Sequence, residues 1–327
     1  MPAILTHYTF AKAVMVDPSR PYPEALFLGA QGPDPFFFYG QIPWKRRALS
    51  KAVNAFGAKV HHMDVTDLYE SLLKHAAASK DSELLLSYVE GLFLHYALDR
   101  NCHPYIFSKA GFSEDPQEAR AYGLSHMLLE TYLDLIIGKR SKTFTYRAER
   151  YLKVPKAELE EISSLWNDAN AEITGDSAIG KTSFFDAARD YAGILRFVNT
   201  PHAFKRWFLG TFLGKASQPY AMNYPSHIPS ELRNLDYLNE AHGEWPDPVS
   251  GGKRTESFLD LWDAAQRDYI TMLPLLQKAR AREAFRGELS AEIRNLDHDG
   301  FGPEEKMNFM DPLWPSIPGL SDLGDAK

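Results

Sequence analysis

Residues Asp81 to Pro104 read DSELLLSYVEGLFLHYALDRNCHP, and the fold is decided by how this stretch is read. Asp81 or Ser82 can cap a helix whose first turn holds Glu83. Leu84, Leu85, Leu86, Val89, Leu92, Phe93, Leu94 and Leu98 surround it almost completely, the pattern of a buried helix. Yet His95 and Asp99 stand one turn apart on it, separated by only about 40° around the axis, and His103 follows four residues on. Leu84, Tyr88, Gly91, Leu98 and Cys102 complete that mostly apolar stripe. A carboxylate buried there needs a cation or strong donors, because desolvation otherwise neutralises it. Pro104 biases His103 away from helical angles, so the helix is expected to end by Cys102.

The whole chain sets the bounds around this helix. Its 327 residues are 44% apolar and 13% aromatic, enough for a large core, and its net charge of -7 disfavours bulk nucleic-acid binding. No apolar run approaches the length of about 18 residues that spans a bilayer. The first residues, MPAILTHYTFAKAV, lack a basic segment followed by an apolar core, so no leader is expected. The single cysteine, Cys102, excludes an internal disulfide framework and fits a reducing compartment, with the cytoplasm as the expected location.

Helical periodicity recurs along the chain. Thr6 can cap a short helix, HYTFAKAVMV, with His7 at its start. Asp34 lies in a loop between Pro33 and Pro35, followed by Phe36, Phe37, Phe38 and Tyr39, which are expected mainly as core. Further helices are expected over Lys45 to Phe56, broken by Gly57; Asp64 to Ala78; Asp115 to Ile137, stopped by Gly138; Lys156 to Ala171; Ser183 to Val198; and Ser257 to Glu283. On the Asp115 helix, His126 and Glu130 repeat the i, i+4 pairing, and Asp134 extends the row as a group that could orient a histidine. Only Thr143 to Arg147 hints at a strand, and residues 216–255 read as a long loop, so the fold class is all-α. Residues 1–140 form the metal-binding helical core, and 141–327 are the helical remainder of the same domain.

His7, Asp34, the doublet His61 and His62, His95, Asp99, His103, His126 and Glu130 offer imidazole nitrogen and carboxylate oxygen. Any one of these histidines could be ordinary, but two helices present i, i+4 pairs on otherwise apolar faces. Mixed nitrogen and oxygen ligands without thiolate suit zinc best, with manganese or iron behind it. So many donors exceed one tetrahedral site and imply two or three ions, with Asp99 placed to bridge two of them. Two other motifs carry less. Gly175 to Thr182 spells a phosphate loop, but the polar NDANAEIT before it is not the buried strand that motif needs. Asn295, Asp297, Asp299 and Gly300 begin like a calcium loop, but its twelfth position is Lys306.

The segments MPAILTHYTFAKAV, LFLGAQGPDPFFFYG, HHMD, GLFLHYALDRNCHPYI and HMLLETYLD together resemble the zinc-dependent phospholipase C family, whose helical fold is shared with single-strand nucleases. The likeness is dense from Met1 to about Asp134 and thinner beyond, resting there on NYPS and WPDP…SFLDLWDAA. It implies that His103, His126 and Glu130 hold one zinc, and that Asp34, one of His61 and His62, His95 and Asp99 hold another. His7 and Asp99 would serve a third, in the family together with the amino terminus of the mature chain. Asp34 would be both ligand and general base. The implied activity is hydrolysis of a small-molecule or phospholipid phosphodiester by metal-activated water. A nuclease or nucleotidase on the same fold, or a zinc-stabilised binding protein without turnover, are the alternatives.

Overall fold

The computed structural model describes residues 4–15, 19–42, 48–174, 179–199 and 234–312. Within them run α1 (Ile4–Val14), α2 (Pro23–Gly29), a 3-10 turn (Asp34–Phe38), α3 (Ser50–His61), α4 (Thr66–Ala78), α5 (Ser82–Ala110) and α6 (Pro116–Arg140). A second 3-10 turn (Ala148–Leu152) precedes α7 (Lys156–Thr174), α8 (Ser183–Val198), α9 (Phe258–Ala281) and α10 (Arg286–Ile293). One short antiparallel pair, β1 (Trp245–Pro246) with β2 (Lys253–Arg254), is the sheet among the described residues. The all-α expectation holds.

The greasy helix read from the sequence is α5, and α2, α4, α6 and α9 pack around it. Its Leu92, Phe93, Tyr96 and Ala97 are fully buried, so apolar burial rather than an amphipathic stripe holds it in place. Elements from the second half of the chain close over it. Arg100 pairs with Asp268 of α9 at 2.7 Å, and the Tyr96 hydroxyl donates to the carbonyl of Leu296 at 2.9 Å. One hydrophobic core therefore serves both halves.

Several boundaries differ from the sequence reading. Helix α5 does not end at Cys102 but continues through Pro104 to Ala110. Proline removes the N–H that would meet the Arg100 carbonyl, and the backbone of Gly300 lies against that same carbonyl. A Cβ at 300 would fall 2.2 Å from Arg100 O, and φ is +83° there, so only glycine fits. Gly57 lies inside α3 and faces Phe36, and Gly138 lies inside α6, because buried neighbours outweigh one residue's propensity. Thr143 to Arg147 is a turn rather than a strand: the N–H groups of Thr143 and Phe144 both donate to Gly138 O. Helix α10 had no sequence forecast. The 175–182 segment follows helix α7, not a strand, which removes the context a phosphate loop requires; residues 175–178 lie outside the described residues, as do NYPS and the 216–233 part of the long loop. Ser257 caps α9 with a reciprocal capping box: its hydroxyl accepts from Asp260 N and the Asp260 carboxylate accepts from Ser257 N.

Among the described residues, Asp134 hydrogen-bonds no histidine. It accepts from the N–H groups of Leu5 (2.9 Å) and Thr6 (2.7 Å) and from the Thr6 hydroxyl (2.6 Å), which ties the first turn of α1 to α6. Burial pushes its carboxyl up to about 7, outweighing the Thr6 hydroxyl and the two backbone donors that favour ionisation. Asp134→Ala is expected to cost about 3 kcal/mol in urea unfolding, because it strands buried donors. The folded pKa lies above the unfolded one. The wild-type advantage over the variant is therefore fullest below pH 4 and shrinks as pH rises towards 7, which unfolding at pH 4 and pH 7 measures.

Candidate metal centre

Five chain segments bring eight donors together. The stripe on α5 supplies His95, Asp99 and His103; α6 supplies His126 and Glu130; α1 supplies His7; the turn after α2 supplies Asp34; and α3 ends on His61. Seven of them line a cleft of about 570 Å³, and His95, with no exposed surface, lies beneath. The approach of the Asp34 segment depends on Gly32. At φ +55°, a Cβ there would fall 2.1 Å from His95 Cδ2.

The donors form three groups, the first two sharing His95: His7, His95 and Asp99; Asp34, His61 and His95; His103, His126 and Glu130. Asp99 Oδ2 lies 2.8 Å from His95 Nε2, while its Oδ1 lies 3.2 Å from His7 Nε2 and 3.9 Å from His103 Nε2. Asp34 Oδ1 is 3.0 Å from His61 Nε2. Glu130 Oε1 is 3.3 Å from His126 Nε2 and 3.6 Å from His103 Nε2. The i, i+4 spacing on α5 and α6 produces the His95–Asp99, Asp99–His103 and His126–Glu130 pairs directly; the others join different elements.

Tautomer logic shows what the cluster lacks. His61 Nδ1 faces Gly57 O at 2.8 Å, His95 Nδ1 faces Ala30 O at 3.2 Å, and His103 Nδ1 faces His298 O at 3.1 Å. Carbonyls only accept, so each Nδ1 carries a proton, and each Nε2 can meet the carboxylate it faces only through a second proton or a bound cation. Lone pair against lone pair at such distances repels unless positive charge lies between. The electrostatics agree. Burial opposes charge throughout, yet neighbouring Asp99 lifts His7, Asp34 lifts His61, and Asp99 and Asp299 lift His103 well above the histidine range. Against the same burial, His95, His103 and His7 hold the Asp99 carboxyl well below its ordinary value, and His126 does the same for Glu130. Asp34 Oδ2 and His7 Nδ1 are buried without a hydrogen-bond partner. A divalent cation also suits these spacings, since two ligands about 2.1 Å from a tetrahedral ion stand about 3.4 Å apart. The donor set fits metal ions.

Of the histidine doublet, the structure brings His61 into the cluster and leaves the His62 side chain 63% exposed. His62 belongs to a separate group at the rim, with Asp297 and Asp299. Phe36 and Phe38 are core as expected, and the half-buried Phe37 lines the cleft. Sequence reasoning passed over Asp299, which touches His103 Nδ1 at 2.7 Å. The calcium-loop spelling was the signal that could have found it. That spelling has another use here, because the Asp297 carboxylate accepts from the N–H groups of Asp299 and Phe301 and so folds its own turn.

No family model matches the chain, and neither characterised proteins nor solved structures gave a match. What it does must therefore be argued from the site.

Proposed function

We propose that this protein is a zinc-dependent phosphoric diester hydrolase of phospholipase C type. The carrying observation is the largely buried, thiolate-free set of eight nitrogen and oxygen donors, arranged in three groups, two of which share His95, and open to a cleft. Such ligands favour zinc, held by His103, His126 and Glu130 in one group and by Asp34, His61, His95, Asp99 and His7 in the others. When bound, the ions supply charge neutralisation for the diester oxygens, a lowered pKa for attacking water, and stabilisation of the leaving oxygen.

The chain's own groups divide the remaining work. Asp34 Oδ1 is engaged by His61, which leaves the buried Oδ2 to take the proton of the attacking water. The Nδ1 bonds of His61, His95 and His103 to backbone carbonyls fix the ring planes, so the ligand nitrogens are preorganised. Phe107, Phe112 and Tyr122 form an apolar wall beside the cluster that keeps water out and can receive an uncharged substituent. Among the described residues, no lysine or arginine lines the cleft. A nucleic-acid strand, with its successive phosphates, would lack counter-charge there, which favours a substrate with one phosphodiester over the nuclease reading.

The test is elemental analysis of protein prepared without chelator, followed by a panel of chromogenic phosphodiesters. At least two transition-metal ions per chain, chiefly zinc, and turnover that a chelator abolishes and zinc restores are the expected results. One ion or none would overturn the metal assignment. Full metal without turnover on any diester would leave a zinc-stabilised binding protein instead.

A further inference from the structure

We infer that Asp299 is a positioning residue that sets the ligand strength of His103, and with it the affinity of one group of the centre and not the others. The inference rests on the metal-centre reading above and adds a residue from the opposite end of the chain.

The ring nitrogens remote from the cleft are not treated alike. His61 and His95 meet only carbonyl oxygens, Gly57 O and Ala30 O. His103 meets a carboxylate: Asp299 Oδ1 lies 2.7 Å from its Nδ1, nearer than the 3.1 Å to His298 O. A carboxylate behind an imidazole pulls on the Nδ1 proton, raises electron density at Nε2 and fixes the ring plane. A carbonyl does the second with less of the first. His103 Nε2 faces Glu130 and Asp99, so the extra donor strength is delivered to the His103–His126–Glu130 group.

Asp299 is built into place rather than resting on a surface. It is 5% exposed. Its backbone N–H donates to Asp297 Oδ1 at 2.9 Å, and its second oxygen, Oδ2, lies 3.0 Å from His62 Nδ1. Gly300 seats the turn on the Arg100 carbonyl of α5, one helical turn before Pro104. His298 N donates to His61 O at 3.1 Å, which fastens the turn to the end of α3. The loop thus touches two donor-bearing helices, while its carboxylate faces one of the eight donors, His103, and the rim residue His62.

The experiment uses the full chain, loaded with zinc or with cobalt(II) as an optical probe. Asp299→Asn keeps the shape and an acceptor oxygen but loses the charge. Against a chelator series, one ion should be released about 10–100-fold more readily and the others as in wild type. The cobalt absorption bands should shift for that ion, and kcat should fall with KM little changed. Melting of the metal-free forms shows whether the fold persists. If the asparagine variant does not fold, Asp299→Glu compared with Asp299→Gln asks the same question of charge at equal length. Unchanged release of every ion with an unchanged cobalt spectrum overturns the inference, and so does equal loosening of all ions, which marks a merely structural loop. A wild-type chain that takes up no metal shows a different failure, that of the metal-centre reading, and takes the inference with it.

Discussion

Asp34→Asn is expected to abolish phosphodiester hydrolysis while leaving the fold and most of the metal in place. Loss of a general base typically lowers the rate by about 10² to 10⁴, and weaker ligation deepens the fall. The structure sharpens the reason. Asp34 opens a 3-10 turn between two prolines, is 3% exposed, and spends one oxygen on His61 Nε2 while the other has no hydrogen-bond partner. An amide could still face His61 with its oxygen, but its NH₂ could not take a proton from water. A turn-capping role would instead engage backbone N–H groups. Among the described contacts the Asp34 side chain meets His61, whereas its own N–H closes the turn onto Gln31 O. Melting temperature, zinc content and turnover on one diester, measured on the same preparation, separate the roles. Near-wild-type turnover would remove Asp34 from the mechanism.

The second large effect belongs to Asp99. Its two oxygens face three imidazoles, His95 on one side and His7 with His103 on the other, so it stands where two groups of donors meet. Asp99→Asn should release more than one ion per chain. His126→Ala, which touches one group, should loosen chiefly one. Removing a shared carboxylate costs bonds to two ions and also exposes each to the other's charge. Elemental analysis after identical dialysis gives both numbers, and equal loss from the two variants would show that Asp99 does not bridge.

How much of this could be read from the residues depended on range. The i, i+4 pairs at His95 and Asp99 and at His126 and Glu130 are local facts of helical geometry, and the apolar surroundings of α5 announced burial without any partner in view. The fold class followed from the same periodicity. Helix ends were read less well. Gly57, Gly138 and Pro104 are all carried inside helices because packing against Phe36, Leu5 and the 297–301 turn outweighs their local preferences. Choosing His61 over His62 needed the structure as well, since adjacent residues at a helix end point in different directions. The calcium-loop spelling marked Asp299 in the sequence, but its contact with His103 was out of reach for a different reason. Its partner lies on α5, far off in sequence, and no periodicity encodes a contact between a turn and a remote helix face.

The distribution of the donors along the chain also has a consequence for how the molecule is made. His103, His126 and Glu130 sit on consecutive helices, α5 and α6, so a growing polypeptide can bring them together early. The turn that backs His103 follows α10 and so emerges from synthesis later than α5 and α6. Short-range contacts form before long-range ones, and domains fold as their sequence becomes available. On the proposed metal binding, a nascent chain would pass through a period in which one group could take an ion while His103 still lacked its carboxylate. Any ion caught then is held by the weaker form of the ligand and can exchange. On the proposed metal binding, docking of the 297–301 turn would convert that provisional capture into tighter retention, so a segment made after the donors would decide which ion stays.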